Sequence, residues 1–490
     1  MRILKKISIA VLGTVILAGS AGQFAVFAGS SDGTAPAGEG QDALTYLDDD
    51  FYMKDGFSTH LPVVVIDDVN TVNFFTEGSE LTTALLQKGS TASGVYTEQW
   101  KEAAAEGKPE REKTDYNVTV TGESHTELES VLWDRPVMDE WLLLGNMYDK
   151  SLLRNYLALT LAGELDISNY LVQYCELFAE YDGRYQYQGV YLLAAPVETE
   201  EYHLQRGNYQ DTNSKALVTY ASENSWFDHQ LYVPSVYSLE DHTFMSVENR
   251  ISLAERSILS ADYNTFSKYG EYLDLTKMYD YFILYEMFGN AASGHLSHYL
   301  YDSGSGRFWP VALADFEYSV DNGQLSPLEA DSFDMIFTPY YQPLSKSINF
   351  VDGLQDRYQE LKLGLLKSSS LNLRIDDIVA SLGDSQRRDW ARWDEVYQGD
   401  EMYTLAVKAA DPDSTGPDLN RNTDSYAQEI NKIKFSLRHH GNTMFGSIAE
   451  LYEQKNMTGN DAGYVTNTLL FLLFLAILSG SIYIAGRRLR

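Results

Sequence analysis

The chain has 490 residues, 70 acidic against 37 basic, and a formal net charge of −33 at pH 7. That balance repels nucleic acid and anionic lipid, so neither is an expected partner, and it suits a soluble surface that tolerates divalent cations. A single cysteine, Cys175, excludes an intramolecular disulfide; it lies in LVQYCELFAE, where alternating apolar residues predict a strand, and reads as a small core residue rather than a nucleophile.

In chain order, Arg2, Lys5 and Lys6 precede the apolar run Ile7 to Gly19, and Val26-Phe27-Ala28 follows as a cleavage sequence. This is the layout of a secretory signal peptide over residues 1–28. Residues 29–58 open small, polar and Gly-rich and read as a leader. LPVVVID (61–67) predicts a buried strand and TDYNVTVTG (114–122) a second, with a charged insertion, KEAAAEGKPEREK, between them. The apolar stripe from Ser151 to Leu165 predicts a helix with Asp149 as its cap. Tyr170 to Phe178 and Tyr185 to Leu193 predict a hairpin about Asp182-Gly183. Residues 197–245 are polar and aromatic with weak periodicity.

A helix is predicted from Thr276 and stops at Gly289-Asn290. Residues 298–302 predict a strand, Ser303 to Gly306 a turn, and 307–317 a second strand. On an extended stretch Asp315 and Glu317, two apart, point the same way and form a candidate metal pair. Helices follow at 349–367, 375–394 and 424–440, with a loop over 411–423. Strands first and helices later predict an α+β protein in two parts, 59–270 and 271–448.

A stalk, 449–463, leads to Tyr464–Ala485, which carries no charge, and the chain ends Gly-Arg-Arg-Leu-Arg. About 20 apolar residues span a bilayer as a helix, and terminal arginines favour a cytoplasmic tail. The expected molecule is therefore exported, loses its signal peptide, and is held by one C-terminal helix, 464–486, with a basic tail at 487–490. Its working part faces the extracellular side. A wall-sorting signal would need a Leu-Pro-x-Thr-Gly kind of motif, which MTGNDAG (457–463) does not supply.

Several segments, in order, resemble the spore-coat protein H (CotH) family of kinase-like proteins. LPVVVID is similar to its opening strand. WLLLGNMYDKSLLRNYLALTLAGEL (141–165) carries its Trp-x-Leu, Tyr-x-Asp-Lys-Ser and Leu-Arg-Asn as Trp141, Leu143, Tyr148 to Ser151, and Leu153 to Asn155. YQGVYLL (187–193), LDLTKMYDYFILYEMFGN, HYLYD with RFWPVALADFE, and the helices at 344–366, 375–393 and 426–440 continue the likeness, which covers about 60–445. The resemblance implies an atypical protein-kinase-like fold with a strand-rich N-lobe and a helical C-lobe. It also implies ATP with Mg²⁺ or Mn²⁺, and phosphate transfer to Ser or Thr of coat proteins. It assigns metal binding to Asp315 and Glu317 and cofactor binding to Arg154 and Asn290.

The same resemblance exposes departures. The family's Trp-Asp-Phe-Asp is Ala314-Asp315-Phe316-Glu317 here. The aspartate of its Asn-x-Asp is Ala292, a later asparagine is Ser297, and a glutamate falls at Ala195. Alanine neither holds a cation nor accepts a proton, so no residue is assigned as catalytic. His295, His298 and Asp302 lie near the vacated position as substitutes or as ordinary loop residues. Asp321 and Asn322 read equally as ligands or turn formers, and Arg154 as a phosphate cation or as a helix-anchoring ion pair. The departures favour a degenerate, pseudokinase-like binding or assembly module of the cell or spore surface, with ATP and metal retained or lost. The alternatives are an active Ser/Thr kinase rearranged on Asp315 and Glu317, or a surface adhesin or scaffold. On each reading the partners are surface or coat proteins, Ser-rich ones included, and the membrane through the C-terminal helix.

Overall fold

Seven strands close into a barrel: β1 (Val63–Ile66), β2 (Thr71–Phe75), β3 (Ala92–Glu98), β4 (Tyr116–Val120), β5 (Glu140–Leu144), β6 (Val172–Tyr181) and β7 (Arg184–Ala194). Their order round the barrel is β1-β2-β3-β4-β5-β7-β6. Each pairing is antiparallel except the closing one, where β1 lies parallel to β6 with Val63 opposite Glu176. Alternation fills the interior: Val64, Ile66, Phe74, Val118, Trp141, Leu143, Cys175, Leu177, Tyr191 and Leu193 meet in one buried cluster. The opposite face of β1 is also buried, because Val63 and Val65 pack with Leu47, Phe57, Phe178 and Tyr187. That is why VVVI reads as one continuous apolar run rather than an alternating one.

The computed structural model describes residues 43–75, 92–98, 113–120, 140–168, 171–194, 216–219, 241–290, 299–302, 305–322, 333, 335–338, 340–410 and 418–448. All of them belong to one compact unit, Ala43–Arg490. The signal peptide, residues 29–42 of the leader, the stalk and the membrane anchor fall outside the described residues, whereas Leu47 and Phe57 of the leader pack against β1. Among the described residues no helix is long and apolar enough to cross a membrane.

Helix α1 (Arg154–Glu164) follows β5 and packs on the barrel's outer wall through Leu157, Ala158 and Leu161, in one core with Tyr174, Val190 and Leu192. It starts three residues later than the apolar stripe suggests, because Asp149 captures the amides of both Ser151 and Arg154 and holds Leu152 at a left-handed φ of 65°. Beyond the barrel the chain is mainly helical: α2 (Asp241–Leu259), α3 (Leu275–Phe288), α4 (Ile348–Leu363), α5 (Ser368–Tyr397), α6 (Asp400–Ala410) and α7 (426–448). A small sheet, β8 (Ala216–Thr219), β9 (Tyr299–Asp302) and β10 (Trp309–Pro310), lies beside them in the order β10-β9-β8. The result is a mixed α/β protein, with the barrel strands all before residue 195 and the long helices after 240.

The strand expected over 307–317 is shorter than its apolar pattern implies. Only Trp309 and Pro310 pair with β9. Past them the backbone turns to other partners: the Ala312 amide donates to the Ile167 carbonyl and the Phe316 amide to the Asn155 side chain. Asp315 is therefore exposed and Glu317 buried, and the two carboxylates do not share a strand face.

Helix α5 is bolted to the barrel where β7 is irregular. Opposite Leu177 and Phe178 the register shifts, so Gln188 is an extra residue with no ladder partner. Trp393 donates its indole N–H to the Gln188 carbonyl, Arg392 donates to the Tyr187 carbonyl, and Asp389 accepts the Val190 amide at 2.7 Å. Gly189 sits at φ 119°, and a Cβ there would collide with the Asp389 carboxylate, so the close approach requires glycine.

Candidate functional site

Helix α3 ends on Gly289 in the left-handed conformation, φ 65°, with the Gly289 amide bonded back to the Glu286 carbonyl. This stop aims the next residue, Asn290, at the irregular segment after β10. The Asn290 Nδ2 donates to Asp315 Oδ1 at 3.1 Å, and the Tyr285 hydroxyl approaches the same oxygen at 3.4 Å. Tyr285 also accepts the Leu313 amide, so one buried phenol fixes the chain on both sides of Ala314. Asp315 is open to solvent yet crowded by protein on its other sides. The crowding raises its pKa to about 7, against the hydrogen bonds of Asn290 and Tyr285, and the nearby charge of Glu317 adds to the rise.

Glu317, two residues on, is buried. Burial of Tyr318, and then the neighbouring charge of Glu317, push the Tyr318 phenol far above its usual range. The Glu317 carbonyl accepts from Asn322 Nδ2, which also reaches the Tyr148 carbonyl at 2.8 Å. Asn322 therefore ties two backbone segments together, and Asp321, at φ 61°, is ion-paired to Arg421. Of the two roles the sequence left open for these residues, the turn-forming one describes their contacts.

Arg154, expected on one reading to meet a phosphate, is placed otherwise. It is buried, and each of its five N–H groups has an acceptor: Nε to the Ser319 carbonyl, Nη1 to Asp149 and Ser151, Nη2 to the Val320 carbonyl and Glu429. The ion pairs to Asp149 and Glu429 are both 2.6 Å. The helix-anchoring role is the one these contacts describe. Asp302 is likewise spoken for, buried against Arg250 at 2.5 Å and accepting the Gly306 amide. Ala195, Ala292, His295, Ser297 and His298 lie outside the described residues.

Burial alone would raise the Glu429 carboxyl, but Arg154, Lys432, the Thr423 hydroxyl and Lys150 outweigh it and hold the pKa at about 2, down from 4.5. A group depressed on folding stabilises the native state above its unfolded pKa, and that contribution is lost as pH falls through the folded value. The urea midpoint is expected to fall as pH drops from about 4.5 towards 2, and Glu429→Gln is expected to flatten this part of the profile. An unchanged profile in Glu429→Gln would show that another carboxylate carries it.

The donors brought together are thus Asp315 and Asn290, with Glu317 close by. Arg154 is not part of the group. Among the described residues no cluster of three or more His, Cys, Asp or Glu forms. Two carboxylates and an amide, with no histidine or thiolate grouped with them among the described residues, suit a hard cation such as Mg²⁺ or Mn²⁺, which commonly takes only one or two protein carboxylates. Tyr285 gave no sequence signal as a site residue, since every residue from Met278 to Phe288 is buried and its hydroxyl is hidden in an apolar-looking helix.

A closed barrel, a helical second part and a group of oxygen donors beside the end of α3 define a mixed α/β protein with a candidate divalent-cation site. The family model described as CotH kinase protein matches residues 106–438, well over half of the chain. The chain belongs to the CotH kinase protein family. No curated protein matches it.

Proposed function

We propose that this chain is an exported, membrane-held member of its family that binds a divalent cation with ATP at Asp315, Glu317 and Asn290, and uses the loaded domain as a binding and assembly module rather than an efficient kinase. On this reading the barrel belongs to the N-lobe of a kinase-like fold, 59–270, and α3 to α7 belong to its C-lobe, 271–448. The observation that carries the reading is the 3.1 Å contact between Asn290 and Asp315, which joins the end of α3 to the segment holding both carboxylates. Phosphoryl transfer depends on charge neutralisation and positioning, so metal-holding carboxylates are the irreducible part of such a site. The missing part is equally specific: alanine stands at position 292, where the family resemblance puts an aspartate.

The bound cation would neutralise the phosphates. Asp315 and Glu317 would supply oxygen ligands, while Asn290 and Tyr285 hold the Asp315 carboxylate in place. Family membership supports coat or surface proteins as partners, and the terminal sequences support a position outside the cytoplasm.

The test is transfer of labelled γ-phosphate from ATP to a Ser-rich coat-type peptide, run beside equilibrium binding of Mn²⁺–ATP by the full-length protein in detergent. Binding without transfer is the expected result, and Ala292→Asp is expected to raise transfer while Asp315→Ala abolishes binding. Rapid transfer by the unsubstituted protein would instead establish an active kinase rearranged on Asp315 and Glu317.

A further inference from the structure

We infer that Asn155 is a positioning residue for the Asp315–Glu317 pair, through a clamp built from the turn before α1; this rests on the metal–nucleotide reading above. The residue between the two carboxylates is Phe316, and its amide donates to Asn155 Oδ1 at 2.8 Å. The Asn155 Nδ2 donates in turn to Asn146 Oδ1 at 2.7 Å, and Asn146 is held at φ 48° in the turn after β5. Asn155 is buried, so neither bond competes with bulk water. Its fixed amide sets where the backbone turns between an exposed Asp315 and a buried Glu317.

The segment needs such support. Val320 lies at φ 50° and Asp321 at φ 61°, and a β-branched residue in the left-handed region is a genuine outlier. Strain of this kind persists only where surrounding structure over-determines it, and it gathers at functional sites. The surroundings are visible: Arg154 holds the Ser319 and Val320 carbonyls, the Phe288 carbonyl takes the Val320 amide at 2.7 Å, and Asn322 holds the Glu317 carbonyl. Of these contacts only the one from Asn155 falls between the two carboxylates. A ligand pair misplaced by a fraction of an ångström loses much of its value, so the clamp acts on cation affinity as well as on stability.

The experiment compares Asn155→Ala with Asn155→Asp in the full-length protein, reading the Kd for Mn²⁺–ATP and the melting temperature separately. Asn155→Asp keeps an acceptor for the Phe316 amide, and Asn146 can turn its own amide to donate to the new carboxylate. Asn155→Ala is expected to weaken Mn²⁺–ATP binding about ten-fold, and Asn155→Asp to stay within about three-fold of the unsubstituted protein. Wild-type affinity in Asn155→Ala would overturn the inference while leaving the nucleotide reading intact. If Asn155→Ala does not fold, Asn146→Gly removes the brace alone; an affinity loss of about three-fold supports the clamp and none overturns it. Failure of the unsubstituted protein to bind Mn²⁺–ATP would sink the nucleotide reading instead. In that case, amide exchange decides: faster exchange at Phe316 in Asn155→Ala, restored in Asn155→Asp, supports the clamp, and unchanged exchange refutes it.

Discussion

Replacing Arg154 with methionine is expected to destabilise the protein by about 3–5 kcal/mol, the usual cost of breaking a buried ion pair from one side. Methionine keeps the length and apolar volume of the stem, so packing is not the main loss. What is lost is the cation shared by Asp149 and Glu429, both buried, and the donors to the Ser319 and Val320 carbonyls. A deficit of this size is a large part of the stability of an ordinary domain. Arg154→Lys is expected to lie between the two, since one ammonium cannot reproduce five donors in a fixed fork. Urea denaturation measures the effect, and a loss below about 1 kcal/mol for Arg154→Met would contradict the placement of Arg154 as the anchor of this region.

Asp389→Ala is expected to cost a similar about 3–5 kcal/mol, by a different route. Lys113 and Asp389 form an ion pair of 2.7 Å with both side chains fully buried. Burial lowers the Lys113 pKa and Asp389 opposes that shift, so removing the carboxylate strands an ammonium in the protein interior. The same substitution frees the Val190 amide and the Tyr397 hydroxyl, which donates to Asp389 Oδ2 at 2.9 Å. Because Lys113 is fixed beside the barrel and Asp389 on α5, the damage falls on the joint between them. Replacing both partners with apolar residues of similar volume is expected to cost less than Asp389→Ala alone, since no charge is then left unpaired. A double variant no more stable than the single one would show that the pair's charge is not the main contributor.

The elements most readable from sequence were those whose cause is local. VVVI in β1, the β6–β7 hairpin with Asp182 and Gly183 at positive φ, and the stop at Gly289 follow from apolar period, turn chemistry and a left-handed cap. Barrel closure was not readable, because the β1–β6 pairing joins strands about a hundred residues apart and leaves no periodic trace. Helix α2, at Asp241–Leu259, begins inside the weakly periodic stretch 197–245 and carries no start signal that the sequence reading assigns. β10 ends sooner than the apolar run implies for a physical reason: such a run predicts burial, and Val311 and Ala312 are buried without being paired as strand. For the site, the sequence supplied the residue types but not their roles. Arg154 could have served phosphate or fold, and only its full set of acceptors shows which contacts it makes. Asn290 and Asp315, 25 positions apart, meet because the cap at Gly289 and the phenol of Tyr285 bring them together.

The central claim is a working cation–nucleotide site on Asp315. The most direct test is the melting temperature of the full-length protein in ATP, with Mg²⁺ and then Mn²⁺, compared with Asp315→Ala. A ligand that binds only the folded state adds about 2.7 kcal/mol at a hundred times its Kd, which a melting curve resolves readily. The account predicts a rise that requires both metal and ATP and disappears in Asp315→Ala. No shift in either metal, or an equal shift in Asp315→Ala, would contradict it.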